Sequence, residues 1–131
     1  MKLAALLFAA ALALGADPPK DVGDFFGAAV QALADKDAAS FLDHFDRNMP
    51  GYAAFRDDMM ALLDRSEVVS TVAFITDEGD SSRRELQLDW YVQIDQDRPR
   101  RQIVKCTIER QGKKWKIVSF DPLDIFKSPQ P

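Results

Sequence analysis

The stretch Glu85–Leu86–Gln87–Leu88–Asp89–Trp90–Tyr91–Val92–Gln93–Ile94–Asp95 alternates between apolar and polar side chains almost without error. This period of two is typical of a β-strand that buries one face. Because a slip of one residue would turn every apolar side chain to solvent, the pattern also fixes the register of the strand. The buried face is predicted to consist of Leu86, Leu88, Trp90, Val92 and Ile94.

Three further strands and three helices are predicted around this stretch. A turn at residues 96–99 leads into a second long strand that continues to Arg110. Val68–Thr76 precedes this pair as a strand, and the tight turn Gln111–Gly112 leads into the last strand, Trp115–Asp121. Upstream, apolar residues at helical spacing predict helices at Asp21–Ala34, Ala38–Arg47 and Tyr52–Asp64. The predicted fold class is therefore α+β, with N-terminal helices packed on one face of an antiparallel sheet of about four strands.

The first sixteen residues have the layout of a secretory signal peptide. Lys2 supplies a positive start, residues 3–14 are an unbroken run of Leu, Ala and Phe, and the small residues Gly15 and Ala16 precede a polar segment. The apolar run is shorter than the ~20 residues that a membrane-spanning helix needs. We therefore predict a signal peptide at residues 1–16, a single domain at residues 17–131, and an exported protein, periplasmic or secreted, without a membrane anchor.

The charge and the cysteine and histidine content argue against several kinds of partner and cofactor. The formal net charge of −4 and the isoelectric point near 4.9 argue against binding of nucleic acid through its phosphates and against a broad attraction to anionic membranes. The single cysteine, Cys106, excludes an intramolecular disulfide, so the core alone must stabilise the domain. A lone histidine without a cysteine cluster falls short of a metal-ligand set, and neither a metal nor another cofactor is predicted.

Two segments resemble the nuclear transport factor two-like (SnoaL-like) superfamily. Residues 29–46, AVQALADKDAASFLDHFD, are similar to its opening helices, and residues 113–126, KKWKIVSFDPLDIF, are similar to its last strand. The resemblance implies a cystatin-like cone, in which a strongly bent sheet wraps around the helices, sometimes with a pocket inside. It also implies frequent dimers through the outer face of the sheet. The family commonly has a short hairpin between its helices, where this chain shows only Met49–Pro50–Gly51.

Enzymes of this superfamily place an Asp, Glu or His inside the cone as a general base. Alternation predicts that the last two strands contribute Val104, Cys106, Ile108, Val118 and Phe120 to the inner face. No residue of that face is an acid, a base or a hydroxyl, so no catalytic residue is assigned and the cone is predicted to be a filled core. A small apolar ligand, if one is bound inside, would contact Leu88, Trp90, Cys106 and Phe120.

An isomerase- or dehydratase-like enzyme is the alternative, and it would need a base at the mouth of the cone. The candidates are His44, Asp121 and Asp124. His44 is predicted to face solvent, because Phe41, Leu42 and Phe45 already supply the buried stripe of its helix. Both aspartates flank a Pro–Leu pair in a sequence that is typical of a turn. Cys106 lies between apolar neighbours on a strand and is interpreted as a small buried hydrophobe rather than a nucleophile.

The outer face of the sheet is predicted to carry Tyr91, Trp115 and Ile117 among polar residues. A mixed face with large aromatic side chains suits a contact between proteins. We therefore predict a homodimer through this face. The function favoured by the sequence is that of a non-catalytic exported domain, which acts through protein contact or binds a small apolar ligand.

Overall fold

The computed structural model describes residues 18–127. The predicted signal peptide lies outside the described residues, and export stays a prediction. Within residues 18–127, no helix combines the length and the apolar character that crossing a membrane requires.

Three helices precede the sheet: α1 (Lys20–Ala34), α2 (Ala38–Leu42) and α3 (Tyr52–Arg65). Buried residues of α1 recur every three or four positions, as the sequence pattern predicts. Asp37 begins α2, because its carboxylate accepts a hydrogen bond from the backbone N–H of Ser40 at 3.1 Å. The bounds of α1 and α3 agree with the predicted bounds to within one residue.

The prediction for α2 is wrong at its end, because this helix stops at Leu42 and not at Arg47. The chain then runs alongside the last strand of the sheet. The backbone N–H of Ile117 donates to the carbonyl oxygen of His44, and the N–H of Asp46 donates to the carbonyl oxygen of Ile117, both at 2.8 Å. These bonds to a distant strand replace those of another helical turn and leave Phe45 buried in the core.

The four strands form one open, curved antiparallel sheet in the order β1-β2-β3-β4. Their bounds are β1 Val68–Gly79, β2 Arg83–Ile94, β3 Arg100–Gln111 and β4 Lys114–Asp121, and a short 3-10 helix follows at Leu123–Phe126. The α+β prediction is confirmed. On β2 and β3, every residue predicted to face inward is buried.

The inner face of β4 differs from the prediction because the strand contains a β-bulge. Opposite β3, Thr107 pairs with Ser119 but Ile108 pairs with Ile117, so Val118 is an extra residue. The alternation therefore reverses at this point. The predicted placement of Trp115 and Ile117 on the outer face is wrong, since they are only 5% and 1% exposed. Val118, predicted to face inward, is half-buried, while Phe120 is buried as predicted.

The interior between sheet and helices is filled by aromatic rings. Trp90 is fully buried, and its ring lies 5.5 Å from that of Phe120, 5.7 Å from that of Phe126 and 6.5 Å from that of Phe26. Edge-to-face packing dominates these contacts, which is the geometry aromatic pairs favour. Three more buried rings continue the cluster: Phe41, Phe45 and Phe55.

One polar contact inside this core can be tested. The indole N–H of Trp90 donates to the hydroxyl of Ser70 at 3.1 Å, and both residues are buried. Replacing Ser70 with Ala leaves the indole N–H without an acceptor, which costs about 1–3 kcal/mol. We expect that decrease in the free energy of unfolding, measured by urea denaturation. Ser119→Ala, at an exposed position of β4, is the control; an equal effect of the two substitutions would contradict the assignment.

Candidate functional site

The four residues predicted to contact a ligand inside the cone all lie in the core. Leu88 and Trp90 are 0% exposed, Cys106 is 3% exposed and Phe120 is 4% exposed. Because aromatic rings pack directly against Trp90 and Phe120, binding at these four residues would require the core to open. Concave surfaces are found elsewhere, beside β4.

A cleft of about 570 Å³ lies on the surface, and we call it the loop cleft. Its first wall is the segment after α2, its second is α3, and its third is the end of the β3–β4 hairpin. The apolar part of its lining includes Phe45, Leu42 and the 54%-exposed side chain of Met60. Its polar lining is Asp43, Asp46, Arg47, Tyr52, Arg56, Gln111 and Lys116.

Both carboxylates of the loop cleft are already bound. Asp46 accepts hydrogen bonds from the backbone N–H of Asn48 at 2.7 Å and from the amide of Gln111 at 2.6 Å, and these bonds lower the pKa of its carboxyl below the usual value. Asp43 lies 3.3 Å from the ammonium of Lys116, which also donates to the Asp43 carbonyl oxygen. The lowered pKa of Asp46 is the opposite of the raised pKa that a general acid needs.

The two arginines at the rim of the loop cleft have fewer hydrogen-bonding partners than the two carboxylates do. Arg56 pairs only with its exposed neighbour Asp57, at 3.1 Å. Arg47 is exposed, and within residues 18–127 it makes no ion pair. An exposed pair of neighbours is weak, so both guanidinium groups can turn toward an anion in the cleft.

A smaller cleft of about 320 Å³ lies on the other side of the Asp43–Lys116 ion pair and contains His44. His44 is half-buried, not fully solvent-facing as predicted, because its ring packs 4.8 Å from that of Phe25. Its Nδ1 lies 2.9 Å from the carbonyl oxygen of Ser40. Since a carbonyl oxygen only accepts hydrogen bonds, Nδ1 carries a proton and donates to it, and Nε2 makes no part of this contact.

Asp21 also lines the His44 cleft, and one of its carboxylate oxygens accepts two hydrogen bonds. One oxygen accepts from the guanidinium of Arg110 at 2.8 Å and from the indole N–H of Trp115 at 3.0 Å. The Arg110 bond, followed by the Trp115 bond, holds the pKa of Asp21 below its usual range. Arg110 in turn lies 4.2 Å above the ring of Trp115 as a cation–π contact.

The three general-base candidates are not brought together. Asp121 lies at the end of β4, opposite Lys105, and is exposed, as is Asp124 in the 3-10 helix. Neither lines the loop cleft or the His44 cleft. In the part of the chain that the structure describes, no group of three or more acidic, histidine or cysteine side chains could hold a metal ion.

Comparisons with known proteins bear on the fold. No family model matches the chain, and no curated protein matches it. Among solved structures, the chain is similar to Bd1075 of Bdellovibrio bacteriovorus, with a TM-score of 0.69 and 13% identity over 78% of this chain and 38% of that one. It thus spans well under half the length of Bd1075.

Two shorter proteins match along most of their length. A protein of unknown function with a cystatin-like fold from Nostoc punctiforme has a TM-score of 0.58 and 16% identity over 78% of this chain and 90% of its own. An NTF2-like protein of unknown function from Pseudomonas putida has a TM-score of 0.63 and 12% identity over 76% of this chain and 80% of its own. The chain has the nuclear transport factor two-like fold.

Between α2 and α3, where the resemblance implies a short hairpin, the chain instead forms an isolated parallel bridge from Phe45 to Ile117 of β4. The segment that forms this bridge is also a wall of the loop cleft. The sequence alone does not reveal the loop cleft, because the residues that line it come from three separate elements and form no motif along the chain. The only local signal was the Met49–Pro50–Gly51 break, which indicated an interruption but not a concave surface.

The structural role of Cys106, whose thiol lies in the core, can be tested with a thiol-reactive reagent. Burial raises its pKa, so the thiol stays protonated at neutral pH and is shielded from reagents. We expect a thiol-reactive reagent to leave the native protein unmodified and to react with one cysteine per chain in urea. Rapid modification of the native protein would contradict a purely structural role for Cys106.

The Asp21 contacts give the second test. A carboxyl whose pKa is lowered by folding stabilises the native state above its unfolded pKa of 3.8, and this contribution is lost as the pH falls through the lower native pKa. We expect Asp21→Asn to lower the urea midpoint at about pH 6, and we expect this effect to shrink progressively as the pH is lowered below 3.8. Asp24→Asn, on the same helix and paired only with exposed Lys20, is the control; it should change little over the same pH range.

Proposed function

We propose that this protein is an exported, non-catalytic binding domain whose ligand occupies the loop cleft. One observation carries the proposal: the interior of the cone is filled by aromatic side chains, while about 570 Å³ of concave space lies outside it. That volume is within the ~300–1,000 Å³ range of small-molecule sites. The domain therefore uses its surface, and not the inside of the sheet, to bind.

The lining of the loop cleft favours a small amphipathic molecule with a negative group. Phe45 and Met60 offer an apolar floor, and the flexible thioether of Met60 adapts to ligands of different shape. Arg47 and Arg56 at the rim supply positive charge, and among residues 18–127 no buried acid pairs with either of them. The two carboxylates of the cleft are held by Gln111 and Lys116 and repel an anion less than free acids would.

An isomerase- or dehydratase-like enzyme is the second candidate, and one observation favours it. His44 is the single histidine of the sequence; its Nδ1 is bound to the Ser40 carbonyl oxygen, and its ring lines a cleft of about 320 Å³. A general base also needs a partner that stabilises the charge it creates. Asp21 and Arg110 are tied to each other and to Trp115, so the non-catalytic function has the stronger support.

Two of the three residues predicted to form a homodimer contact do not lie on the outer face of the sheet. Trp115 and Ile117 lie in the core, and Tyr91 alone of the predicted contact residues stays on that face, half-buried. Ile103, which is 48% exposed, is the other large apolar side chain of the central strands on this face. A face-to-face contact would depend on these two residues.

The loop cleft can be tested with 1-anilinonaphthalene-8-sulfonate, an aromatic molecule that carries one negative charge. We expect its fluorescence to rise on titration with the native protein and to saturate. The double substitution Arg47→Glu and Met60→Asp should weaken this binding at least ~10-fold, because it removes a cation and part of the apolar floor. Both residues are exposed, so the fold should be unaffected.

Ile103→Asp is the control, because it removes a similarly exposed apolar side chain from the outer sheet face. We expect its titration curve to coincide with that of the unmodified protein. If Ile103→Asp abolished the signal and the double substitution preserved it, the probe would bind the sheet face and the proposed site would be wrong. Absence of any saturable signal would also count against it.

A further inference from the structure

The two edges of the sheet differ in what covers them. At β4, the segment 44–46 takes up both backbone hydrogen-bonding groups of Ile117. The same strand carries Lys114 and Lys116, contains the bulge at Val118, and is followed directly by Pro122. Covering segments, lysines, bulges and prolines are the features with which proteins protect an edge strand from pairing. The β4 edge is therefore blocked.

The β1 edge has little of this protection. Within residues 18–127, no further strand pairs with it. Residues 68–76, VVSTVAFIT, form an uncharged run without Pro or Gly, and their only irregularity is a bulge at Ile75. No other strand has an uncharged run of this length, since charged residues interrupt β2, β3 and β4 more often. A long, uncharged, β-branched edge is a template for a further strand.

The backbone groups of this edge are oriented outward. The carbonyl oxygen of Glu67 accepts from the N–H of Asp95 at 2.8 Å, so Glu67 directs its backbone toward β2. Hydrogen-bonding direction alternates along an antiparallel strand. The N–H and C=O groups of Ser70, Val72 and Phe74 therefore point away from β2, toward the open edge.

The side chains of this edge are also incompletely covered. Val72 and Phe74 face the helices yet are only half-buried, while Val69 on the outer face is 55% exposed. The equivalent inward residues of β2 and β3 are buried. A strand added at this edge would cover these side chains and satisfy the free backbone groups at the same time.

We propose that β1 pairs with β1 of a second copy of this chain, antiparallel about a two-fold axis. Such pairing sets the uncharged run against itself, so no like charges meet at its centre. Elsewhere the net charge of −4 makes copies repel. Because the β4 edge is blocked, the association stops at two copies and produces a continuous sheet of eight strands across the dimer.

The contact is small. Nine residues at ~3.4 Å each give a shared edge of ~30 Å. A contact confined to one edge lies at the lower end of specific interface sizes, so we expect a dimer whose population depends on concentration. Monomer should dominate at a few micromolar and dimer at several hundred micromolar.

Charge reversal at the edge tests the proposal. Val69 and Thr71 are exposed and lie opposite the uncharged Gln93 and Tyr91 of β2, so new charges there meet no charged partner in the monomer. We expect Val69→Lys with Thr71→Lys, and likewise Val69→Glu with Thr71→Glu, to be monomers by sedimentation velocity at low salt. An equimolar mixture of these two variants should form a heterodimer, because opposite charges then face each other across the axis.

Ile103→Lys separates this edge contact from a contact through the sheet face, since Ile103 lies on the outer face of β3, away from the edge. We expect this variant to dimerise like the unmodified protein. Loss of dimer in Ile103→Lys alone would place the interface on the face and overturn the proposal. An unmodified protein that is monomeric at several hundred micromolar would overturn it as well.

A measurement on the unmodified protein covers the case in which a charged variant does not fold. Amide hydrogen exchange of Ser70, Val72 and Phe74 should slow as the protein concentration rises, because their N–H groups become hydrogen-bonded across the axis. Exchange at Leu88, inside the sheet, should not depend on concentration. Unchanged exchange at all three edge residues would contradict the pairing.

Discussion

A single extra residue in β4 determines how much of this domain is core. Val118 has no partner in β3, and the alternation of the strand reverses around it. Trp115, Ile117 and Phe120 can therefore all face the helices, although an unbroken strand would send Phe120 to the opposite face from the other two. The bulge thus completes the aromatic cluster at one end of β4 and the Trp115–Asp21 contact at the other.

The sequence predicts best where local pattern and tertiary environment agree. All five apolar residues of the β2 pattern are buried, because a central strand with one covered face keeps its alternation over its whole length. The end of α2 and the faces of β4 could not be derived in this way. Phe45 is buried as helical spacing suggested, but it is buried through a bridge to Ile117, which lies far along the chain. A short-range pattern cannot distinguish these two ways of burying one ring.

The candidate site, too, could be predicted from the sequence only in part. A filled interior was predictable, since the inner faces predicted for β2, β3 and β4 lack acids, bases and hydroxyl groups. The loop cleft was not, because it exists only where the chain leaves α2 early and the segment 43–47 stands against α3 and the β3–β4 hairpin. The predicted helix includes Arg47 as its last residue, where the side chain would be one more solvated charge. Its position at a cleft follows from the two hydrogen bonds that hold residues 44–46 to Ile117.

The same two hydrogen bonds cover the β4 edge of the sheet and also hold in place the segment that forms one wall of the loop cleft. The cleft and the open β1 edge consequently lie at opposite sides of a four-stranded sheet, roughly 14 Å apart at ~4.8 Å between neighbouring strands. Pairing at β1 would leave the loop cleft and the His44 cleft of both copies uncovered, at the outer ends of the joined sheet. The proposed ligand site and the proposed pairing edge are therefore separate surfaces of the domain.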